Sequence, residues 1–299
     1  MKKKIGIWAL LIALTGGAVE FASASDWRRS GGQVAVELNQ RYNDLRDDCG
    51  SATRPSFLCS GVMLRAAKGG SNYFAWNPSP YSQGSGGVSF SFLRKDVKFQ
   101  GLVYGQRSGY IFYPDLIRDP DTLHVKVLCA FPMDGATNNR EKPGCGAYPF
   151  TDATQRHQSQ RCQTLGITTA EQWVQNRDAH GAWCGFDVDN RTNNASARSF
   201  AETIRAHNLA GFFEGNYAYI ELILATWPQL NNPASVPIEA FFYTEGGLED
   251  AQRDQWAHYI QSGGMVVVPI IRLTLPATPS DDAVFSYIGI EQRILSGYP

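Results

Sequence analysis

Along residues 33–46 the side chains of Val34, Leu38, Tyr42 and Leu45 fall on one helical face, with Arg and Asp elsewhere. A spacing of three to four predicts an amphipathic helix. The period then shortens. Between residues 61 and 131, β-rich runs at 62–66, 88–93, 102–104, 110–113 and 124–131 alternate with Gly, Pro and Ser turns, the pattern of short strands. Helical patterning returns at 169–175 and 195–207, where Ser and Thr stand ready as caps. In the last third, 219–227 is apolar but for Glu221, 238–243 reads as a strand, 248–261 as a helix and 265–275 as a buried strand. Together these elements predict an α+β fold: an antiparallel β-sheet or sandwich core with peripheral helices.

The N-terminal 24 residues do not fit that pattern. Three lysines at 2–4 precede an apolar run to Val19, and Ala22-Ser23-Ala24 supplies the small residues a signal peptidase reads. The expectation is a signal peptide over 1–24, cleaved after Ala24. The run is too short for a membrane anchor, which needs roughly 20 apolar residues. Residues 25–299 then form a single exported domain, secreted or periplasmic, because no linker, charge run or repeat divides them. Losing Lys2, Lys3, Lys4 and Glu20 moves the formal charge from −1 to about −3. So nearly neutral a chain gives no electrostatic reason to bind nucleic acid or an anionic membrane.

Export changes how the cysteines read. Six of them in an oxidising compartment predict a disulfide-stapled domain. Nearest-neighbour pairing, Cys49 with Cys59, Cys129 with Cys145 and Cys162 with Cys184, closes three loops rich in turn residues. A zinc site is disfavoured, since there is no C-x-x-C and the five histidines are scattered; no metal is expected.

Candidate chemistry rests on a few residues. In the run 88–96, alternation places Arg94 and Asp96 beside Val88, Phe90 and Phe92. They form either a structural ion pair or, through the planar fork of Arg94, a phosphate or carboxylate site. Glu214, Glu221, Glu239 and Glu245 occupy unusually apolar contexts, where desolvation raises a carboxyl pKa. On the 238–243 strand and its extension, alternation puts Glu239, Phe241, Tyr243 and Glu245 on one face, so two carboxylates and a tyrosine project together; the alternative leaves Glu239 in solvent. Asp134, Thr137 and Arg140 sit in the Cys129–Cys145 loop, as a recognition cluster or as ordinary turn chemistry. Walker A, H-E-x-x-H, G-x-S-x-G and dinucleotide G-x-G-x-x-G signatures are absent.

The exported architecture, the block from Trp76-Asn77-Pro78 to Asp96, the Cys129–Cys145 loop, Gly166-Ile167-Thr168-Thr169-Ala170-Glu171-Gln172-Trp173 and Pro269-Ile270-Ile271-Arg272-Leu273 together resemble the halovibrin-type secreted proteins of Vibrio and Pseudomonas. The resemblance implies NAD-directed chemistry: cleavage of the nicotinamide N-glycosidic bond, with ADP-ribose passed to water or to a protein. NAD is then a substrate and no cofactor is expected. A carboxylate must stabilise an oxocarbenium-like ribose, an arginine must hold the pyrophosphate, and aromatic surfaces must hold the rings. Glu245, Glu239 or Glu221 would be the catalytic carboxylate, Arg94 or Arg140 the phosphate clamp, and Trp76 and Tyr243 the aromatic walls, with Asp96 and Asp134 as further binding residues. The Glu-x-Glu of arginine-modifying transferases is missing. Two other readings use the same residues: a glycoside hydrolase with paired carboxylates acting on a glycan, and a non-enzymatic adhesin or binding module.

Overall fold

The computed structural model describes residues 30–68, 88–112, 126–134, 161–180, 184–188, 195–211, 213, 218–225, 238–264 and 267–289. Residues 1–24 and Cys145 lie outside them. Among the described residues, β1 (Val62–Ala67), β2 (Val88–Leu93), β3 (Ser108–Phe112), β4 (Lys126–Phe131), β5 (Ile220–Ala225), β6 (Ile238–Tyr243), β7 (Ile270–Thr274) and β8 (Val284–Tyr287) build one eight-stranded sheet. Its order is β4-β5-β2-β1-β3-β6-β7-β8. Four helices accompany it: α1 (Gly31–Asn43), α2 (Ala170–His180), α3 (Ser196–Ala210) and α4 (Leu248–Gln261). The fold is α+β, with a single sheet rather than a sandwich.

The sheet is mixed. Its junctions are antiparallel except β6 with β7, which run parallel, Tyr243 opposite Arg272. Parallel neighbours need a crossover, and α4 lies between them in sequence, packed on β6, β3 and β7.

Both faces of the sheet are buried, which is why β6 reads as a nearly continuous apolar run. On one face, Phe90 and Phe92 of β2, Tyr110 and Phe112 of β3, and Phe241 of β6 form a core with Phe200 and Ile204 of α3 and Ala251 of α4. Phe200 meets Phe57 and Phe92 edge-on, with ring centroids 4.8 and 5.1 Å apart. The opposite face carries Val62 and Leu64 of β1, Ile111, Phe242, Ile271 and Phe285 beneath Val34, Ala35, Leu38 and Tyr42 of α1.

Helix α1 starts earlier and ends sooner than its apolar spacing predicts. Ser30 caps it reciprocally with Gln33: the Gln33 amide donates to Ser30 Oγ at 3.3 Å and the Ser30 amide to Gln33 Oε1 at 3.0 Å. Asp44 is already extended, so Leu45 leaves the apolar face and is exposed. Residues 102–104, expected as a strand, form instead a tight 3₁₀ turn, Val103–Gly105, in which Tyr104 takes a left-handed backbone with φ 55°. Strand β8 was not legible in the sequence.

The disulfides Cys49–Cys59 and Cys162–Cys184 are both formed. Cys129 is also disulfide-bonded. Among the described residues no helix is long and apolar enough to cross a membrane.

Truncating Phe200 to Ala removes a ring shared by two others and should cost about 3–5 kcal/mol, measured as a lower urea midpoint with an unchanged slope. A second test concerns alkali. Burial, first, pushes the Tyr42 phenol up to about 12, and the neighbouring Asp282 adds to it. The unfolded phenol ionises near its usual 10, so between roughly pH 10 and 12 the native state holds more protons and stability falls as pH rises. Tyr42→Phe should flatten this part of the alkaline unfolding profile by about 2–3 kcal/mol.

Candidate functional site

Of the residues singled out in the sequence, Arg94 has the most complete set of partners. β2 ends at Leu93, and the chain reverses through a two-residue turn in which the Arg94 and Val97 amides each donate to the other's carbonyl. The turn folds Asp96 back onto Arg94. Nε donates to Asp96 Oδ1 at 2.6 Å and Nη2 to Oδ2 at 2.8 Å, while Nη1 reaches the Arg46 carbonyl at 2.7 Å and the Ser56 and Ser60 hydroxyls at 3.1 and 3.2 Å. With its side chain 1% exposed, this guanidinium ties the Cys49–Cys59 loop to the sheet and has no donor left for a phosphate. The arrangement matches the structural-pair reading of Arg94 and Asp96.

Glu239 and Glu245 do not share a face. The register between β3 and β6 slips, Ile111 facing Ala240 but Phe112 facing Ile238, so a bulge interrupts the alternation at Glu239. Ile238 and Phe241 enter the same core, and Glu239 forms a salt bridge with Arg41 of α1. The Glu239 side chain is 0% exposed, so the alternative that leaves it in solvent is also overturned. Tyr243 closes β6 within the core; burial pushes its phenol up and Arg272 beside it pulls back down.

Glu221 and Asp134, far apart in sequence, meet at Tyr219. Glu221 is buried in β5 between Ser91 and Phe131 on the flanking strands, and Tyr219 lies two residues away on the same side. The Tyr219 phenol is pushed far above its usual range, first by burial, then by the charges of Glu221, Asp134 and Tyr104 and by its hydrogen bond to Asp134. It therefore stays protonated and donates to the Asp134 carboxylate. Trp76 and Arg140 lie outside the described residues.

Glu245 alone of the candidates opens onto a cleft, of about 560 Å³, walled by the loop 100–107, the turn after β6 and the end of β7. That volume suits a nucleotide-sized ligand. The cleft also holds two arginines the sequence reading had not assigned to a site, Arg107 and Arg272. All three charged residues are exposed, and none has a salt bridge among the described residues. Two arginines against one carboxylate give this wall a positive balance.

Backbone contacts place the three groups. The Thr244 amide and hydroxyl donate to the Arg107 carbonyl at 2.8 and 3.2 Å. Close approach makes glycine necessary after Glu245: a Cβ on Gly247 would lie 2.0 Å from that carbonyl, and one on Gly246, whose φ is +77°, 2.6 Å from Arg107 Nη1. Arg272 alternates outward on β7 between buried Ile271 and Leu273. The signal for it was present, a lone charge in an apolar strand; Arg107 had no signal except the glycines that admit it.

Two more residues of the loop are unusual. Gln106 Oε1 is shielded from solvent without a hydrogen-bond partner, and Tyr104, with its left-handed backbone, is 68% exposed. An unsatisfied buried acceptor costs about 1–3 kcal/mol. Among the described residues no group of three or more His, Cys, Asp or Glu could hold a metal ion.

Arg41→Ala leaves the Glu239 carboxylate buried without its counter-ion and should destabilise the protein by about 3–5 kcal/mol. Adding Glu239→Gln to it should restore part of that loss in a double-mutant cycle of denaturation midpoints; strict additivity would show that the pair is not coupled.

No protein-family model matches the chain, and no curated protein matches its sequence.

Proposed function

We propose that this protein is an exported enzyme that hydrolyses the N-glycosidic bond between nicotinamide and ribose in NAD. The observation that supports the reading is the grouping of Glu245 with Arg107 and Arg272, three charges without salt-bridge partners, along one cleft. Each meets a requirement of the reaction. The pyrophosphate has two negative charges, and two guanidinium groups match them through charge-assisted hydrogen bonds. As the C1′–N bond breaks, its electron pair moves to the pyridinium nitrogen and neutralises the ring, while positive charge develops on the ribose. A carboxylate beside C1′ stabilises that charge. Water then adds to C1′, and its proton passes to Glu245 and on to solvent. The products are nicotinamide, ADP-ribose and a proton.

The paired-carboxylate glycosidase reading is less well supported, because Glu239 is bound to Arg41 on α1 while Glu245 stands in the cleft. Disulfides at Cys49–Cys59 and Cys162–Cys184 accord with export to an oxidising compartment.

Purified mature protein incubated with NAD should release nicotinamide. Glu245→Gln should lower kcat by about 10²–10³-fold, the usual cost of removing one electrostatic stabiliser. Arg107→Ala and Arg272→Ala should each raise KM by about 10-fold or more, as expected for a lost charge-assisted bond. All three side chains are exposed, so folding should be unaffected. No nicotinamide release at high enzyme concentration, or full activity in Glu245→Gln, would refute the assignment.

A further inference from the structure

Within the same cleft, Gln106 and Tyr104 have no role in positioning Glu245, yet both stand in states a purely structural loop has no reason to keep. Gln106 lines the cleft, and its Oε1 is shielded from water without any partner. Folded proteins rarely leave such an acceptor unmet unless a ligand or water completes it. Tyr104, two residues earlier, is the one residue other than glycine with positive φ among the described residues. A left-handed backbone is unfavourable for a bulky side chain, and glycine would relieve it. Instead the position has a large aromatic ring, exposed on the loop that walls the cleft.

We propose that Gln106 and Tyr104 form the subsite for the leaving group, a planar aromatic ring bearing a carboxamide. This rests on the reading of the cleft as a site for a nicotinamide dinucleotide, and adds which residues distinguish the base. A primary carboxamide has both a donor and an acceptor, so it meets the Gln106 amide as a cyclic pair of two hydrogen bonds. A half-turn of the Gln106 amide exchanges its ends, so either end can face the ligand. A carboxylate in the same place has no donor for Oε1 and is rejected. Sites built to hydrogen-bond a substrate group discriminate strongly against an analogue that lacks it. Tyr104 supplies the face on which the ring stacks, and holding it there accounts for the strained backbone.

Ligand-observed NMR titration with free nicotinamide and free nicotinate tests the subsite without requiring turnover. Wild type should bind nicotinamide at least about 10-fold more tightly than nicotinate, and Gln106→Leu should abolish that preference by weakening nicotinamide alone. Tyr104→Leu should weaken both, and Tyr104→Phe neither. Tyr104→Gly should raise Tm while weakening binding, whereas a structural role for the ring predicts a lower Tm. In the hydrolysis assay, the ratio of kcat/KM for NAD to that for its nicotinic acid counterpart should fall towards one in Gln106→Leu. Equal binding of the two ring ligands by wild type, or no binding of either, overturns the subsite. NAD hydrolysis with a ratio unchanged by Gln106→Leu also overturns it and leaves the enzyme assignment standing. Ring binding without NAD hydrolysis refutes only the latter.

Discussion

Charges that enter the two-faced core of this sheet come with partners, because an isolated charge there costs several kcal/mol. Arg94 is met by Asp96 and the Ser56 and Ser60 hydroxyls, Glu239 by Arg41, and Asp134 by the Tyr219 phenol. Asp187 is buried within 3.5 Å of Arg161. Each pairing joins segments distant in sequence, so the same constraint that makes internal charge costly also fixes where loops and α1 attach. Chemistry that needs a charge able to engage a ligand is thereby displaced to the ends of the strands, where Glu245, Arg107 and Arg272 stand.

The topology explains why those ends meet. Glu245 follows β6 and Arg272 lies on β7, and the parallel pairing of these strands through α4 sets Tyr243 opposite Arg272. Strand β3 runs on the other side of β6, with Ser108 opposite Tyr243, which brings Arg107 to the same edge. Three neighbouring strands thus contribute one charge each to a common opening.

Most elements were legible because burial imposes a period. Strand β6 and helix α4 begin and end where the sequence pattern places them, and two of the nearest-neighbour disulfides formed as spacing suggested. Failures came where backbone geometry overrides period. The bulge at Glu239 breaks alternation and sends that side chain to α1. The left-handed turn at Tyr104 replaces a strand that residue preference alone favoured. In β8, only Phe285 is buried, between exposed Val284 and half-buried Ser286, too short a pattern to register. Arg94 and Asp96 were recognised as a pair, and what the sequence could not show was how many backbone and hydroxyl groups converge on the guanidinium. Of the site, Glu245 was legible from its position after an apolar strand, while Arg107 becomes part of it only through the sheet register.

The contact between Gly247 and Arg107 acts on the backbone of one and the missing side chain of the other. With a Cβ at 247 barred by a carbonyl 2.0 Å away, this position has a single permitted amino acid for as long as the turn survives. The residue at 107 is held through its carbonyl alone, so its side chain is open to selection on other grounds. Divergence under these rules is lopsided: among chains descended from a common ancestor, the glycine after the β6 strand end outlasts the charges around it. Distant kin would be recognised first by a Gly-Gly step behind an apolar strand, and their ligand preferences would be read from whatever residue has come to stand across from it.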